Sequence, residues 1–400
     1  MRQIFGKNPK PERIDAPQNE YYEEISARLG ILQVVLYLGI FAFVVLSFLK
    51  NTELITYRNF YYFFKDLNAS AESVDVFAGD AVSYPTAEEQ SFALYRDGLA
   101  VAGSESVTVF TAAGRQTVSK TIQYRNPIAE GAGRYLLVYE MGGRQYSLYN
   151  SYTQIFVGTS EFPIYGAAVS DSGMYALISR SEKYNAVIEL YNSNFRLINR
   201  YNKNGYVTDV AINADGTLLA IPSTDLQNGR LQTQVSLYEP YKTEGETLAV
   251  GQSLPLECAF STRGNLFLLC GDGVSVVSSK CELLKVHSFD GRQIVSASLT
   301  SDGAAVALKS QAMNADAELL VLDASGESVG TWQTLSTPQS IDRVGNVVFY
   351  KTQDGIVRLD TASGDHWMYE CNTEHRTLLA VNAGEILLCS PQKAAYIRFS

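Results

Sequence analysis

Apolar positions along this chain change rhythm twice. From Leu29 to Leu49 they form an unbroken run, LGILQVVLYLGIFAFVVLSFL, 21 residues without a charge, bounded by Arg28 and Lys50. As a helix rising 1.5 Å per residue, that run spans about 30 Å, the thickness of a bilayer's hydrocarbon core. Residues 54–67, LITYRNFYYFFKDL, keep helical spacing, with Ile55, Phe60, Phe63, Phe64 and Leu67 recurring and Arg58, Lys65 and Asp66 elsewhere on the wheel. Past residue 70 the helical period stops. Short runs of Val, Ile, Leu, Tyr and Phe are then broken by Gly, Asp, Asn and Ser, the pattern of strands joined by tight turns.

This rhythm divides the chain into a polar tail (1–28), a transmembrane helix (29–49), an aromatic juxtamembrane helix (50–70) and a β domain (73–400). A cleaved signal peptide has a shorter apolar core and a small-residue cleavage site, whereas KNTELITYRN follows this one, so an uncleaved anchor is expected. The aromatic stretch suits a bilayer interface, and equally a plug under the domain that follows. Close to the span the positive charges tie, Lys10, Arg13 and Arg28 against Lys50, Arg58 and Lys65. The whole tail, with Arg2 and Lys7, gives five against three, which favours a cytoplasmic amino end and an extracytoplasmic domain.

Within the β domain one unit recurs: a strand, a turn ending in Gly, a more apolar strand, a third strand, and a polar fourth. The turn glycines are Gly98, Gly133, Gly173, Gly216, Gly264, Gly303, Gly345 and Gly384, at spacings of 35, 40, 43, 48, 39, 42 and 39 residues. That period belongs to four-stranded propeller blades. A two-residue hairpin turn of the primed type needs positive φ, which glycine supplies cheaply. The strand after each turn is nearly continuous in apolar residues, as in Leu218–Ile221, Leu266–Cys270 and Val347–Tyr350, as expected of a strand covered on both faces. The last unit ends in AYIRFS without a fourth strand, while SVDVFAG (Ser73–Gly79) is an orphan strand near the start. Pairing the two would complete an eighth blade and remove an open edge. The expected fold is therefore all-β, an eight-bladed propeller closed by an N-terminal strand and preceded by one transmembrane helix. Seven blades is the alternative.

These Gly-turn blades resemble the WD-repeat-like and quinoprotein-like propellers, although the Trp-Asp dipeptide of true WD repeats is absent. Tail, span, the YRNFYYFFKDLNAS segment and acidic propeller together resemble a family of clostridial-type Gram-positive membrane proteins known as a domain of unknown function. The resemblance implies an extracytoplasmic propeller and no activity.

The tail's five basic residues balance five acidic ones, so the chain's net charge of −10 resides beyond the span. That excludes nucleic acid as a natural partner. Five cysteines (Cys258, Cys270, Cys281, Cys371, Cys389) contain no C-x-x-C and are expected as small buried hydrophobes. No Walker loop, H-E-x-x-H, G-x-S-x-G or EF-hand sequence occurs, and GAGRYL at Gly131 is expected to be a blade turn. His366, Cys371 and His375 in HWMYECNTEH are irregularly spaced for zinc and are expected on a solvated connection, and His287 on an exposed outer strand. Two tryptophans, Trp332 and Trp367, are too few for a quinone-binding propeller with one per repeat. The 25 tyrosines, among them Tyr124, Tyr152, Tyr165, Tyr184, Tyr201, Tyr206, Tyr238 and Tyr241, suit inter-blade packing, with a Tyr-rich contact face as the functional alternative. The longest inserts are Thr224–Thr233 and Pro240–Ala249.

The functional expectation is a single-pass, membrane-anchored extracytoplasmic propeller. It would act as a non-enzymatic binding or scaffold module for an envelope protein or cell-wall polymer, with the bilayer contacted through Leu29–Leu49. No catalytic, cofactor or metal residue is assigned and no cofactor is expected. The alternative is a propeller enzyme acting on glycans or small molecules at the channel mouth. Two acids or a histidine clustered at the axis would favour the enzyme, and small or apolar side chains there the scaffold. A cytoplasmic propeller of opposite orientation is a third reading.

Overall fold

In the computed structural model, residues 20–50, 81–95, 98–310, 317–371 and 377–399 are described. The chain divides into two units, Met1–Ser70 and Ala71–Ser400. In the first, one helix runs Glu20–Lys50, beginning inside the stretch expected as a polar tail. Side chains are described only for residues 28–43 of it, and among the described residues no helix is long and apolar enough to cross a membrane. The expected juxtamembrane helix (50–70) and the expected closing strand Ser73–Gly79 lie outside the described residues.

The second unit is eight antiparallel four-stranded sheets, and the seven-bladed alternative is set aside. Blades 1 to 7 occupy residues 90–121, 127–159, 164–203, 211–251, 255–288, 293–333 and 340–370, each with its strands in sequence order from innermost to outermost. Blade 8 takes three strands from 377–398, and Ala81–Ser83 pairs antiparallel with Lys393–Ala395 as its fourth. Closure by an N-terminal strand is therefore correct. The residues that perform it are Ala81–Ser83, a strand of only three residues.

Tyr84 extends the closure. Its N–H donates to Gln392 O at 3.0 Å, its hydroxyl donates to Ser390 O at 2.7 Å, and its ring meets Phe92 and Phe110 of blade 1. Apolar burial follows the same plan, because the core is not one mass but eight clusters, one at each junction of neighbouring blades. Leu136 and Val138 of blade 2 pack on Ala100 and Ala102 of blade 1, and the series continues to a junction joining Leu387, Cys389 and Ala394 to Leu99, Val101 and Phe110 through Val82 and Tyr84. Second strands such as Tyr175–Ser179, Leu266–Cys270 and Val347–Lys351 are buried along their whole length, as their continuous apolar pattern requires.

The turns between first and second strands are of two kinds. Ala132 pairs with Tyr135, leaving the expected two-residue turn at Gly133, φ 49°. In blades 3, 4 and 5 the turn is longer, which corrects the uniform two-residue expectation. Gly173, Gly216 and Gly264 donate their N–H to Ser170 O, Asn213 O and Ser261 O, closing a four-residue turn with the glycine in its last place. There φ of 85°, 70° and 78° accounts for the glycine.

Candidate functional site

Alternation of strand direction puts the turns between second and third strands, together with the blade-to-blade connections, on one face of the ring. The remaining turns lie on the other. Two regions concentrate polar side chains: the axis, and a groove on the first of these faces.

At the axis, the innermost strands and the residues just ahead of them carry Glu130, Asp209, Glu257 and Asp342, from blades 2, 4, 5 and 7, all half-buried. Most of their hydrogen bonding is structural. Asp209 Oδ2 accepts from Cys258 N–H at 2.8 Å, and Asp342 Oδ2 accepts from Ala380 N–H at 2.7 Å, each reaching the next blade's inner strand. Ser298 Oγ donates to Asp342 Oδ1 at 3.2 Å, and Ser91 Oγ accepts from Ala129 N–H at 3.1 Å. Leu299 N–H likewise donates to the Glu257 carboxylate. Short polar side chains on inner strands thus staple one blade to the next. The Glu130 carboxylate accepts no hydrogen bond from the described residues. Burial, then the charges of Asp209 and Glu257, pushes its carboxyl up to about 7. Burial, then Asp209 and Asp342, does the same to Glu257, also to about 7. Glu130 of blade 2 thus feels charges from blades 4 and 5, as inner strands gathered round one axis allow. Among the described residues no three or more His, Cys, Asp or Glu side chains are grouped to hold a metal ion.

The groove lies between blades 2 and 3 and measures about 700 Å³. Its walls are the 141–144 turn, the 160–163 connection and the 180–185 turn, with the strand Leu197–Lys203 behind them. The turn and connection are held together by backbone: Gly142 N–H donates to Ile164 O, Ile164 N–H to Gly143 O, and Ser160 N–H to Arg144 O, all at 2.7–2.8 Å. At one wall Arg200 bridges two acids, Glu189 at 2.5 Å and Glu161 at 2.7 Å. Glu189 is 2% exposed, and Tyr191 donates to its other oxygen at 3.0 Å. Tyr191 stacks on Tyr175 at 4.8 Å between centroids, so the buried acid is set in an aromatic bed. Arg144, Arg180 and Lys183 also line the groove, and among the described residues no hydrogen bond or ion pair occupies their charged ends. Lys183 Nζ lies 5.2 Å from the Tyr184 ring, and Tyr165 is 52% exposed beside them.

Residues 80–399 match the family of unknown function DUF5711. The chain belongs to that family. A comparison with curated proteins finds no match. The DUF5711 propeller is similar in fold to Sqt1 from Saccharomyces cerevisiae, at 8% identity, TM-score 0.60, over 80% of this chain and 99% of that one. It is also similar to the C-terminal WD40 domain of Sif2 (12% identity, TM-score 0.57, 80% and 98%) and to BamB from Moraxella catarrhalis (12%, 0.54, 80% and 100%). At such identities the likeness is one of fold.

The residues singled out from sequence are scattered over the DUF5711 propeller. His366 opens the extended strand His366–Glu370 and Cys371 follows its end, about 16 Å away at the usual rise per residue, and His375 is outside the described residues. His287, expected exposed, is half-buried, its Nε2 2.8 Å from Gly326 O of blade 6. All five cysteines are unpaired, four of them buried. Tyr124 and Tyr201 are buried, whereas Tyr165, Tyr206 and Tyr241 stand exposed. The insert at Thr224–Thr233 is no loop: Leu219–Gln227 and Arg230–Tyr238 form a long hairpin on the groove's face, with exposed Leu226 and Leu231 paired at its tip. The turn following Pro240 lies on the opposite face.

Arg144, Arg180 and Arg200 were not singled out from sequence. They come from separate turns and strands, and only alignment of the blades would have shown that the turns of blades 2 and 3 place them on one face.

Proposed function

We propose that the DUF5711 chain is a membrane-anchored, extracytoplasmic propeller that binds an envelope partner through its groove-bearing face and performs no chemistry. One observation carries the anchoring. Leu29, Ile31, Leu32, Val34, Val35, Leu36, Leu38, Ile40, Phe41 and Phe43 are all 53–72% exposed around the helix. A helix apolar on every side is not stable in water and is at home in lipid. With the uncharged run continuing to Leu49, the sequence supplies the length a span requires. The charge bias of the tail supports a cytoplasmic amino end.

The test is fractionation followed by protease treatment of intact cells of a Gram-positive host. The full chain should sediment with membranes, resist alkaline extraction, and lose its propeller to external protease. A chain beginning at Asp80 should be soluble. Release of the full chain by alkali, or protection of the propeller in intact cells that become sensitive on lysis, would overturn the reading.

A second reading, an enzyme at the channel mouth, is favoured by the four axial acids. Glu130 and Glu257 near neutrality could exchange protons, and paired carboxyls suit glycoside chemistry. The staples weigh against it, because Asp209, Glu257 and Asp342 are engaged in holding blades together. Hydrolysis of a glycan panel that is abolished by Glu130→Gln would establish it.

A further inference from the structure

We propose that the groove between blades 2 and 3 binds one compact oxyanion, a phosphate monoester or a carboxylate, carried on a sugar-sized body. This rests on reading the propeller as a binding module and names the chemical group it recognises.

The argument begins from charge. The chain is acidic, net −10, yet the groove's lining sets four basic side chains against two acidic ones. Arg200 is already matched by Glu189 and Glu161, so its charge is not available. Arg144, Arg180 and Lys183 remain, against Glu182 as the only other acid of the lining. Each is exposed and, among the described residues, has no acid or carbonyl on its charged end. Two guanidinium forks and an ammonium around one cavity match the donor geometry that phosphate and carboxylate accept.

Their placement is fixed from behind. Arg144 is held by the backbone ladder linking its turn to Ser160, and the wall opposite by the Arg200–Glu189 pair on its tyrosine bed. Such a preorganised wall lowers the ordering cost of binding. Tyr165, half exposed beside the cations, offers a ring face to the body that carries the anion.

Size and field select the ligand. A volume of about 700 Å³ falls within the range of small-molecule sites. A long polyanion would extend past the positive patch over a chain whose net charge is −10, whereas a single charged group need not.

The experiment is calorimetric titration of the full chain in detergent micelles with glucose 1-phosphate, glucuronate and polyphosphate. At least one of the first two should bind with a dissociation constant below about 1 mM at low ionic strength. Binding should weaken as salt is raised. The double variant Arg144→Gln, Arg180→Gln should weaken it by about tenfold or more, while Lys280→Gln, far from the groove, changes nothing. Unchanged circular dichroism and melting temperature would show that the variants fold. Preference for the phosphate or the carboxylate assigns the group. The proposal falls if neither small anion binds at about 10 mM, if the double variant binds as the parent does, or if polyphosphate binds more tightly than glucose 1-phosphate. Envelope crosslinks in intact cells that survive the double variant would sink the groove while leaving the binding module standing. Solubility of the full chain would do the reverse.

Discussion

Glu130 shows how one side chain in a ring differs from the same side chain in a sheet. Its carboxylate stands at the axis without a hydrogen bond from the described residues, near the charges of other blades. Its pKa is about 7 folded against 4.5 ordinarily, so the native state holds a proton that the unfolded chain releases. The stability this contributes is fully present below pH 4.5 and is lost as pH rises through about 7. Glu257 behaves alike. Glu130→Gln should therefore stabilise the propeller at pH 8 by about 1 to 3 kcal/mol and flatten its stability between pH 5 and 8, measured by urea unfolding. A wild-type slope that persists in this variant would contradict the placement. Tyr84 makes the complementary case. Tyr84→Phe removes one hydrogen bond and should cost about 1 kcal/mol. Tyr84→Ala also empties the last inter-blade junction and should cost about 3 to 5 kcal/mol. Equal losses in the two variants would mean that the ring contributes nothing.

At the scale of elements, the blades were legible, and so was closure by an N-terminal strand, but not which residues form it. Glycine spacing identified eight turns, and each glycine stands at the junction of a blade's first and second strands. These signals survive because a second strand buried on both faces must be apolar throughout. Ala81–Ser83 has three residues and no period to detect, whereas the neighbouring SVDVFAG alternates as a strand does. Glu257 was hidden for a related reason. A register shift between Pro255 and Glu257 breaks the two-residue alternation that marks a face. Glu130, Asp209 and Asp342 stand on blades far apart in sequence, and only closure of the ring brings them to one axis. The groove's arginines were hidden because sequence separates them, and only the stacking of blade 3 on blade 2 brings them together. A chain begun at Thr86 loses the strap and exposes the third strand of blade 8 as a free edge. It should melt at lower temperature and elute as oligomers, against a monomeric, cooperative melt for a chain begun at Asp80. Identical behaviour of the two chains would remove the strap from the account.

For the molecule as a whole, stability is distributed over eight junctions, and no blade holds a private core. A closed ring then behaves as one cooperative unit, which suits a rigid face presenting a groove and a protruding hairpin. Leu226 and Leu231 at the hairpin tip make few internal contacts, so Leu226→Ser should leave the melting temperature within about 1 °C of the parent. If that face docks the envelope partner, the same variant should reduce in-cell crosslinking, and a large fall in melting temperature would show the tip to be structural instead. Everything proposed for this face presumes that the ring is shut. Ser83 and Lys393 are exposed, directly opposed in the closing pair, and flank the hydrogen-bonded Tyr84–Gln392 step, which puts their Cα atoms about 4.5 Å apart. In a chain carrying Ser83→Cys and Lys393→Cys, mild oxidation should form a disulfide quantitatively, seen as a mobility shift absent from either single variant, and should raise the melting temperature. Failure of the two thiols to join in the folded protein, or a bond that lowers the melting temperature, would contradict closure of the ring by this strand.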